Sequence, residues 1–328
     1  ILKLDAKGKP VYRGDQEFTF RVNIPKCAKT ATAPLPILYY GMGLFSAPLE
    51  DMNSSFDRKF PNDLCMITAS TAWIGLSFPD LALIIQKVIT ENFANLPVVT
   101  DRLQQAHVNF HTLVKLMQGD LLKHKSMQYN GKPISDGKER YYLGISNGGI
   151  QGVATAALEP DISRYIFNVS GGMWSMMMQR SSNFSSLALL LKVRYPSLTD
   201  RSILISLSQH LWDHTDPASF ADLLITNPDT TQPKKYIMFQ ESRHDDQVPN
   251  VSTRSVARSM GIDQLTPNVK PVAGLTQKAG PLDSAYMQWD LKVKYVPTKK
   301  NTPAYKPPTS ESAHDKLRHL ATCLTSWK

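Results

Sequence analysis

The chain has 328 residues, 42% of them hydrophobic, and a formal net charge of +9 at neutral pH; its pI is near 9.3 and its mean hydropathy is -0.26. No apolar run approaches the roughly 20 residues that span a bilayer, so stable membrane insertion is not expected, and a chain this long can bury its core without help from metals or disulfides. The basic residues lie scattered, with small clusters at Lys26 to Lys29, Lys292 to Lys300 and Lys316 to Arg318 and no nucleic-acid motif beside them. The excess therefore reads as a solvated surface with no nucleic-acid partner, and attraction to anionic surfaces or polyanionic substrates is the weaker alternative.

In chain order, the pattern begins with a strand over Glu17 to Ile24 and a buried strand from Ile37 that runs into the Gly-rich turn Gly41-Met42-Gly43-Leu44. A helix is expected around Glu50 to Phe60 and a strand over Leu64 to Ala69. Two long helical stretches follow, Pro79 to Phe93 and Thr100 to Lys123, each with apolar residues at i, i+3, i+4 and i+7. The segment Arg140 to Gly149 reads as an apolar strand ending in Gly144-Ile145-Ser146-Asn147-Gly148, and Ile150 to Leu158 reads as a helix. This Gly-x-Ser-x-Gly between strand and helix is the signature of a nucleophile elbow. A nucleophilic hydroxyl has to stand clear of the backbone, so the chain turns sharply at the Ser, and Gly144 and Gly148 must lack side chains that would clash with strand or helix. The following helix aims its N-terminal N–H groups at an oxygen that becomes negative.

A strand over Tyr165 to Ser170 ends in Gly171-Gly172, and residues 173–233 then form a mostly helical, apolar insertion before the buried strand Lys235 to Gln240. The insertion opens Met173-Trp174-Ser175-Met176-Met177-Met178, where Met173, Trp174, Met176 and Met177 are candidates for an adaptable apolar substrate wall, with plain core packing as the competing reading. Adjacent acids, Asp245 and Asp246, follow the strand at 235–240. The last strand is expected over Tyr286 to Tyr295, and after a Pro- and Lys-rich loop from Pro297 to Pro308 the segment Ser312 to Arg318 opens a final helix with His314 at its entrance. His107, His111 and His124 sit in a helical stretch, His210 and His214 in the insertion, His319 inside the last helix, and His244 beside the acids. No repeat or low-complexity tract interrupts this alternation of strands and helices, which implies a mostly parallel sheet covered on both faces.

On these residues the chain resembles the α/β-hydrolase superfamily, and more narrowly its secreted bacterial serine esterases and lipases, from Ile37 to Trp327. The resemblance implies an α/β fold, a mostly parallel central sheet with helices on both faces, formed by a single domain of residues 1–328 in which residues 173–233 are a helical cap or lid. It also implies the chain order nucleophile, acid, base. Ser146 is then the nucleophile, and the acid followed by x-x-Val248-Pro249 is Asp245, with Asp246 as the fallback. His314 is the base, with His244 second. The oxyanion donors are the backbone N–H groups of Asn147 and Leu44. Many relatives carry a His before the Gly of the oxyanion turn; here the residue is Met42.

The implied activity is serine-dependent hydrolysis of carboxylic esters, small or lipid-like, with no cofactor. An acyltransferase or peptidase using the same residues, and an inactive hydrolase-fold binding protein, stay open as alternatives. Cys27, Cys65 and Cys323 have no metal-ligand spacing and allow at most one intramolecular disulfide. The chain starts at Ile1 without a basic segment and apolar h-region, so no signal peptide is expected within it, and an extracytoplasmic setting follows chiefly from the resemblance. Nothing in the pattern specifies an oligomeric state.

Overall fold

The computed structural model describes residues 3–47, 52, 55–297 and 303–319. Among these, nine strands form one sheet: β1 (Phe20–Asn23), β2 (Ile37–Gly41), β3 (Ile67–Thr71), β6 (Arg140–Ile145), β7 (Arg164–Asn168), β8 (Tyr236–Ser242), β9 (Gln264–Thr266), β10 (Gln277–Ala279) and β11 (Ala285–Trp289). A separate two-stranded hairpin pairs β4 (Gln128–Tyr129) with β5 (Lys132–Pro133). The order across the large sheet is β1-β3-β2-β6-β7-β8-β11-β9-β10, parallel throughout except for β1, which runs antiparallel to β3 at one edge.

Period-two alternation sends both faces of the central strands into apolar layers, as expected of parallel strands buried on both sides. Ile37 and Tyr39 of β2, Tyr142 of β6, and Tyr165 and Phe167 of β7 point into one core, where they meet residues of the helices Pro97–Leu116, Asn147–Leu158 and Asn250–Met260. Leu38 and Tyr40, Leu143 and Ile145, and Ile166 point into the other, with Met42 and with Leu317 of the last helix. Met42 is thus a buried core side chain, 1% exposed.

Several expected elements shift. The first stretch is an α-helical turn at Asp80–Leu83 followed by a π-helix over Ile84–Glu91, and the second runs as Pro97–Leu116, breaks at Gly119 and resumes at Asp120–Lys123. Apolar periodicity carries across such breaks because the buried face continues while the backbone hydrogen bonding does not. The helix expected around Glu50 to Phe60 is observed over Ser55–Leu64; its expected first residues lie outside the described ones. The strand expected to reach Tyr295 ends at Trp289. The short strands β9 and β10 were not anticipated, since three residues are too few for a periodic signal. Cys27 and Cys65 form a disulfide; Cys323 lies outside the described residues.

Candidate active site

Ser146 sits between the end of β6 and the helix Asn147–Leu158 with φ 57° and ψ -121°, a backbone conformation that costs a residue with a Cβ about 1 to 3 kcal/mol. Three contacts hold it there. The Ser146 N–H donates to the Asn168 carbonyl at 3.0 Å, the Ile150 N–H to the Ser146 carbonyl at 2.9 Å, and the Tyr142 hydroxyl to the Gly148 carbonyl at 2.5 Å. The two motif glycines are required by close approach: a Cβ on Gly148 would lie 1.9 Å from the Gly41 carbonyl oxygen, and one on Gly144 would lie 2.2 Å from that of Gly148. No side chain fits, because the elbow is pressed against the end of β2. That same contact brings the Gly43-Leu44 turn beside Ser146. Asn147 is the first residue of the helix after the elbow, and Leu44 lines the cleft above Ser146. The neighbouring Phe45 N–H is committed to the Leu76 carbonyl at 2.9 Å.

Asp245 and His314, the acid and base expected from the sequence, come from the turn after β8 and from the last described helix. After β8 the chain turns through His244, whose φ is 66° and whose N–H donates to the Asn250 side-chain oxygen at 2.9 Å. Asp245 is buried; its Oδ1 accepts the Gln247 and Val248 N–H groups at 2.9 and 2.8 Å. The same carboxylate faces the His314 Nδ1 at 3.0 and 2.8 Å. His314 is the second residue of the short helix Ala313–Leu317, capped by the Ser312 Oγ, which accepts the Asp315 N–H, and the Ser242 Oγ ties that helix to β8 by donating to the Ala313 carbonyl at 2.7 Å. An imidazole whose Nδ1 faces a carboxylate in this way can keep its proton there and accept another at Nε2. Ser146 and His314 line one cleft of about 630 Å³ together with Tyr40, Gly43 and Leu44.

Asp246, the fallback acid, is not solvated. It is 1% exposed, its Oδ2 accepts the Ser182 hydroxyl at 2.6 Å and its Oδ1 the Ser312 hydroxyl at 3.1 Å, and its carbonyl accepts the Ser182 N–H at 2.8 Å. Burial, and next the neighbouring Asp245 carboxylate, push its pKa up, against the Ser182 hydrogen bond. Asp246 therefore links the insertion to the helix that carries His314 and makes no hydrogen bond to the imidazole. Beneath the acid turn lies a network the sequence reading did not single out: buried Glu241 pairs with Arg254 through Nε at 2.8 Å and Nη2 at 2.7 Å and accepts from Gln288 Nε2 at 2.9 Å and from the Tyr286 hydroxyl. Its partners come from two other segments, the helix Asn250–Met260 and β11, so no local motif announces it.

The histidines read as helical in the sequence have structural partners. His107 contacts Thr155 and Gln151 at 3.2 Å each, and burial lowers its pKa to about 4, while His111 pairs with Glu159. His244, second choice as base, faces a different surface groove, with Arg180 and Pro249.

The methionine and tryptophan wall requires correction. None of Met173, Trp174, Met176 and Met177 lines the cleft that holds Ser146. Trp174 and Met177 are core side chains, 1% and 2% exposed; the Trp174 ring stacks on Trp212 at 4.7 Å and meets Phe184 edge-on at 6.3 Å. Met173 takes a left-handed conformation with φ 57°, and the buried Asp216 carboxylate accepts the Met173 and Trp174 N–H groups at 2.9 and 2.8 Å. This fastens the start of the helix Trp174–Met178 away from the cleft. Trp174→Ala is thus expected to cost the ~3 to 5 kcal/mol of emptying an aromatic core site, and Met177→Ala ~2 to 5 kcal/mol, with acyl-chain preference unchanged; denaturant unfolding beside ester assays checks both. The insertion residues that do line the cleft are Ser182, Asn183, Ser185, Ser186, Leu187 and Leu190.

No family model and no curated protein matches the sequence. The structure is similar to acetyl xylan esterase 1 from Thermoanaerobacterium sp. JW/SL YS485, with a TM-score of 0.49 and 11% identity over 83% of this chain and 73% of that one. It is also similar to an acetyl xylan esterase from Paenibacillus sp. R4, with a TM-score of 0.46 and 11% identity over 91% and 78%, and to an S-formylglutathione hydrolase from Agrobacterium tumefaciens, with a TM-score of 0.41 and 11% identity over 83% and 82%. The fold itself, a mostly parallel sheet with a strained Ser elbow after a central strand and an acid turn after β8, is that of an α/β-hydrolase.

Proposed function

We propose that the protein is a serine-dependent carboxylic ester hydrolase. The observation that carries this reading is the buried Asp245–His314 pair opening onto the same cleft as the strained Ser146. In this mechanism His314 takes the Ser146 proton as Oγ attacks the ester carbonyl, and the Asn147 and Leu44 N–H groups bind the oxyanion. His314 then gives the proton to the leaving alcohol. Water, deprotonated by the same imidazole, attacks the acyl-enzyme, and collapse of the second oxyanion releases the acid and restores Ser146. Asp245 holds the tautomer and offsets the charge of the imidazolium. No metal or organic cofactor enters these steps.

An apolar acyl portion fits the cleft wall formed by Leu81, Ile85, Leu187 and Leu190. Beyond Phe45 and Leu187 a slot of about 70 Å³ continues between the π-helix Ile84–Glu91 and the insertion. In this reading residues 1–328 make one hydrolase domain with residues 173–233 as its cap, and the cap's Ser185–Arg194 helix supplies Leu187 and Leu190 to the acyl wall, with Met178 lining the slot beyond it. An extracytoplasmic setting is part of the proposal, with the Cys27–Cys65 disulfide in its favour.

The test is hydrolysis of p-nitrophenyl esters of increasing acyl length. Turnover is expected, with short and medium chains favoured over palmitate by about tenfold or more, since so small a slot accepts few methylenes. Absence of turnover on every ester sinks the reading.

A further inference from the structure

The cleft that holds His314 carries two cationic side chains. Arg318 and Lys306 line it beside His314, and among the described lining residues there is no carboxylate. Arg318 stands four residues after His314 with the backbone still helical, at φ -59° and ψ -24°, a spacing that stacks two side chains on one face of a turn. Its guanidinium is oriented, not free to swing: Nη2 donates to the Asp315 Oδ1 at 2.8 Å, and the Asp315 Oδ2 accepts from Gln247 Nε2 at 3.3 Å. That leaves the rest of a planar fork for a second acceptor. Lys306 is exposed and has no ion-pair partner among the described residues. The same cleft has an apolar part of its lining, Leu81, Ile85, Leu187 and Leu190. The lining therefore combines two cations with apolar side chains, and in the proposed mechanism the cation one turn after His314 belongs with the leaving alcohol, because that is the group His314 protonates.

Resting on the ester-hydrolase reading, we propose that the preferred substrate is an ester of an alcohol or phenol that itself carries a carboxylate, held by Arg318 and Lys306 while the acyl group occupies the apolar side. A carboxylate matches the fork of a guanidinium. A neutral alcohol of the same shape would offer neither the free part of the Arg318 fork nor Lys306 a charged acceptor.

The experiment compares 4-carboxyphenyl butyrate with 4-carbamoylphenyl butyrate, which differ at the para group by a charge and little else in shape. The ratio of kcat/KM for the charged over the neutral ester is expected to fall about tenfold in Arg318→Gln and about threefold in Lys306→Gln, the scale of one charge-assisted hydrogen bond and one exposed pair. Raising the salt from about 20 to about 500 mM should lower the same ratio in the unmodified protein, which needs no variant to fold. Calorimetry on Ser146→Ala separates this inference from the one it rests on: the charged ester should bind more tightly than the neutral one, and Arg318→Gln in that background should erase the difference. Turnover of neither ester with that binding difference intact defeats the hydrolase reading and leaves the anion site standing. A ratio that ignores both substitutions and salt, or equal binding of the two esters, overturns the anion site.

Discussion

Ser146→Ala is expected to remove ester turnover almost entirely, by about a millionfold in kcat, the scale seen when a serine hydrolase loses its nucleophile. The folded state should survive. Ser146 is held at φ 57° by backbone bonds from its N–H to Asn168 and to its carbonyl from Ile150, and alanine keeps both. A serine-directed phosphonate should label the unmodified protein at Ser146 alone and the variant nowhere, read by mass spectrometry of the labelled peptide. Full activity in the variant would remove the elbow from the chemistry and with it the proposed function.

The second large effect separates the adjacent acids. Asp245→Asn is expected to lower kcat about 10⁴-fold, because an amide facing the His314 Nδ1 presents a donor or a weaker acceptor and no longer holds the tautomer whose other nitrogen accepts the Ser146 proton. Asp246→Asn should lose tenfold or less by the same reasoning, as it bonds to Ser182 and Ser312 and not to the imidazole. The sign of its pKa shift agrees. A buried carboxyl whose pKa is raised above the unfolded value opposes folding once pH climbs past that unfolded value, so at neutral pH an uncharged amide relieves a cost while still accepting one hydroxyl. Asp246→Ala strips both serines of their acceptor and should be the less stable variant. Steady-state kinetics of the two Asn variants decides the matter: the reverse ranking transfers the acid's role to Asp246.

Local chemistry explains why some of this was legible beforehand. The elbow needs Gly144, Ser146 and Gly148 within five residues because the steric problem they solve is itself local, and β2, β6, β7 and β8 are continuous apolar runs because both their faces are buried. The π-helix at Ile84–Glu91 and the interruption at Gly119 were hidden, since an apolar stripe looks the same whether the backbone bonds i to i+4 or i to i+5. The methionine run misled for a related reason. A flexible apolar side chain fits a cleft wall or a core equally well, and only Asp216, some forty residues on, fixes which way the helix Trp174–Met178 faces.

What the sequence by itself determined was the succession of strands and helices and the strand–Ser–helix turn, consequences of apolar patterning and short-range sterics, whereas the choice of Asp245 and His314 followed from the resemblance. Tertiary structure places the Asp245 carboxylate against the imidazole, and it alone decided that Asp246 joins the insertion to the His-bearing helix and that Leu187, Leu190, Arg318 and Lys306 line one cleft. Those outcomes depend on contacts between segments about seventy to one hundred and seventy residues apart. A side chain's partner across such a distance is set by how the sheet stacks its strand ends, and no periodicity in the chain encodes it.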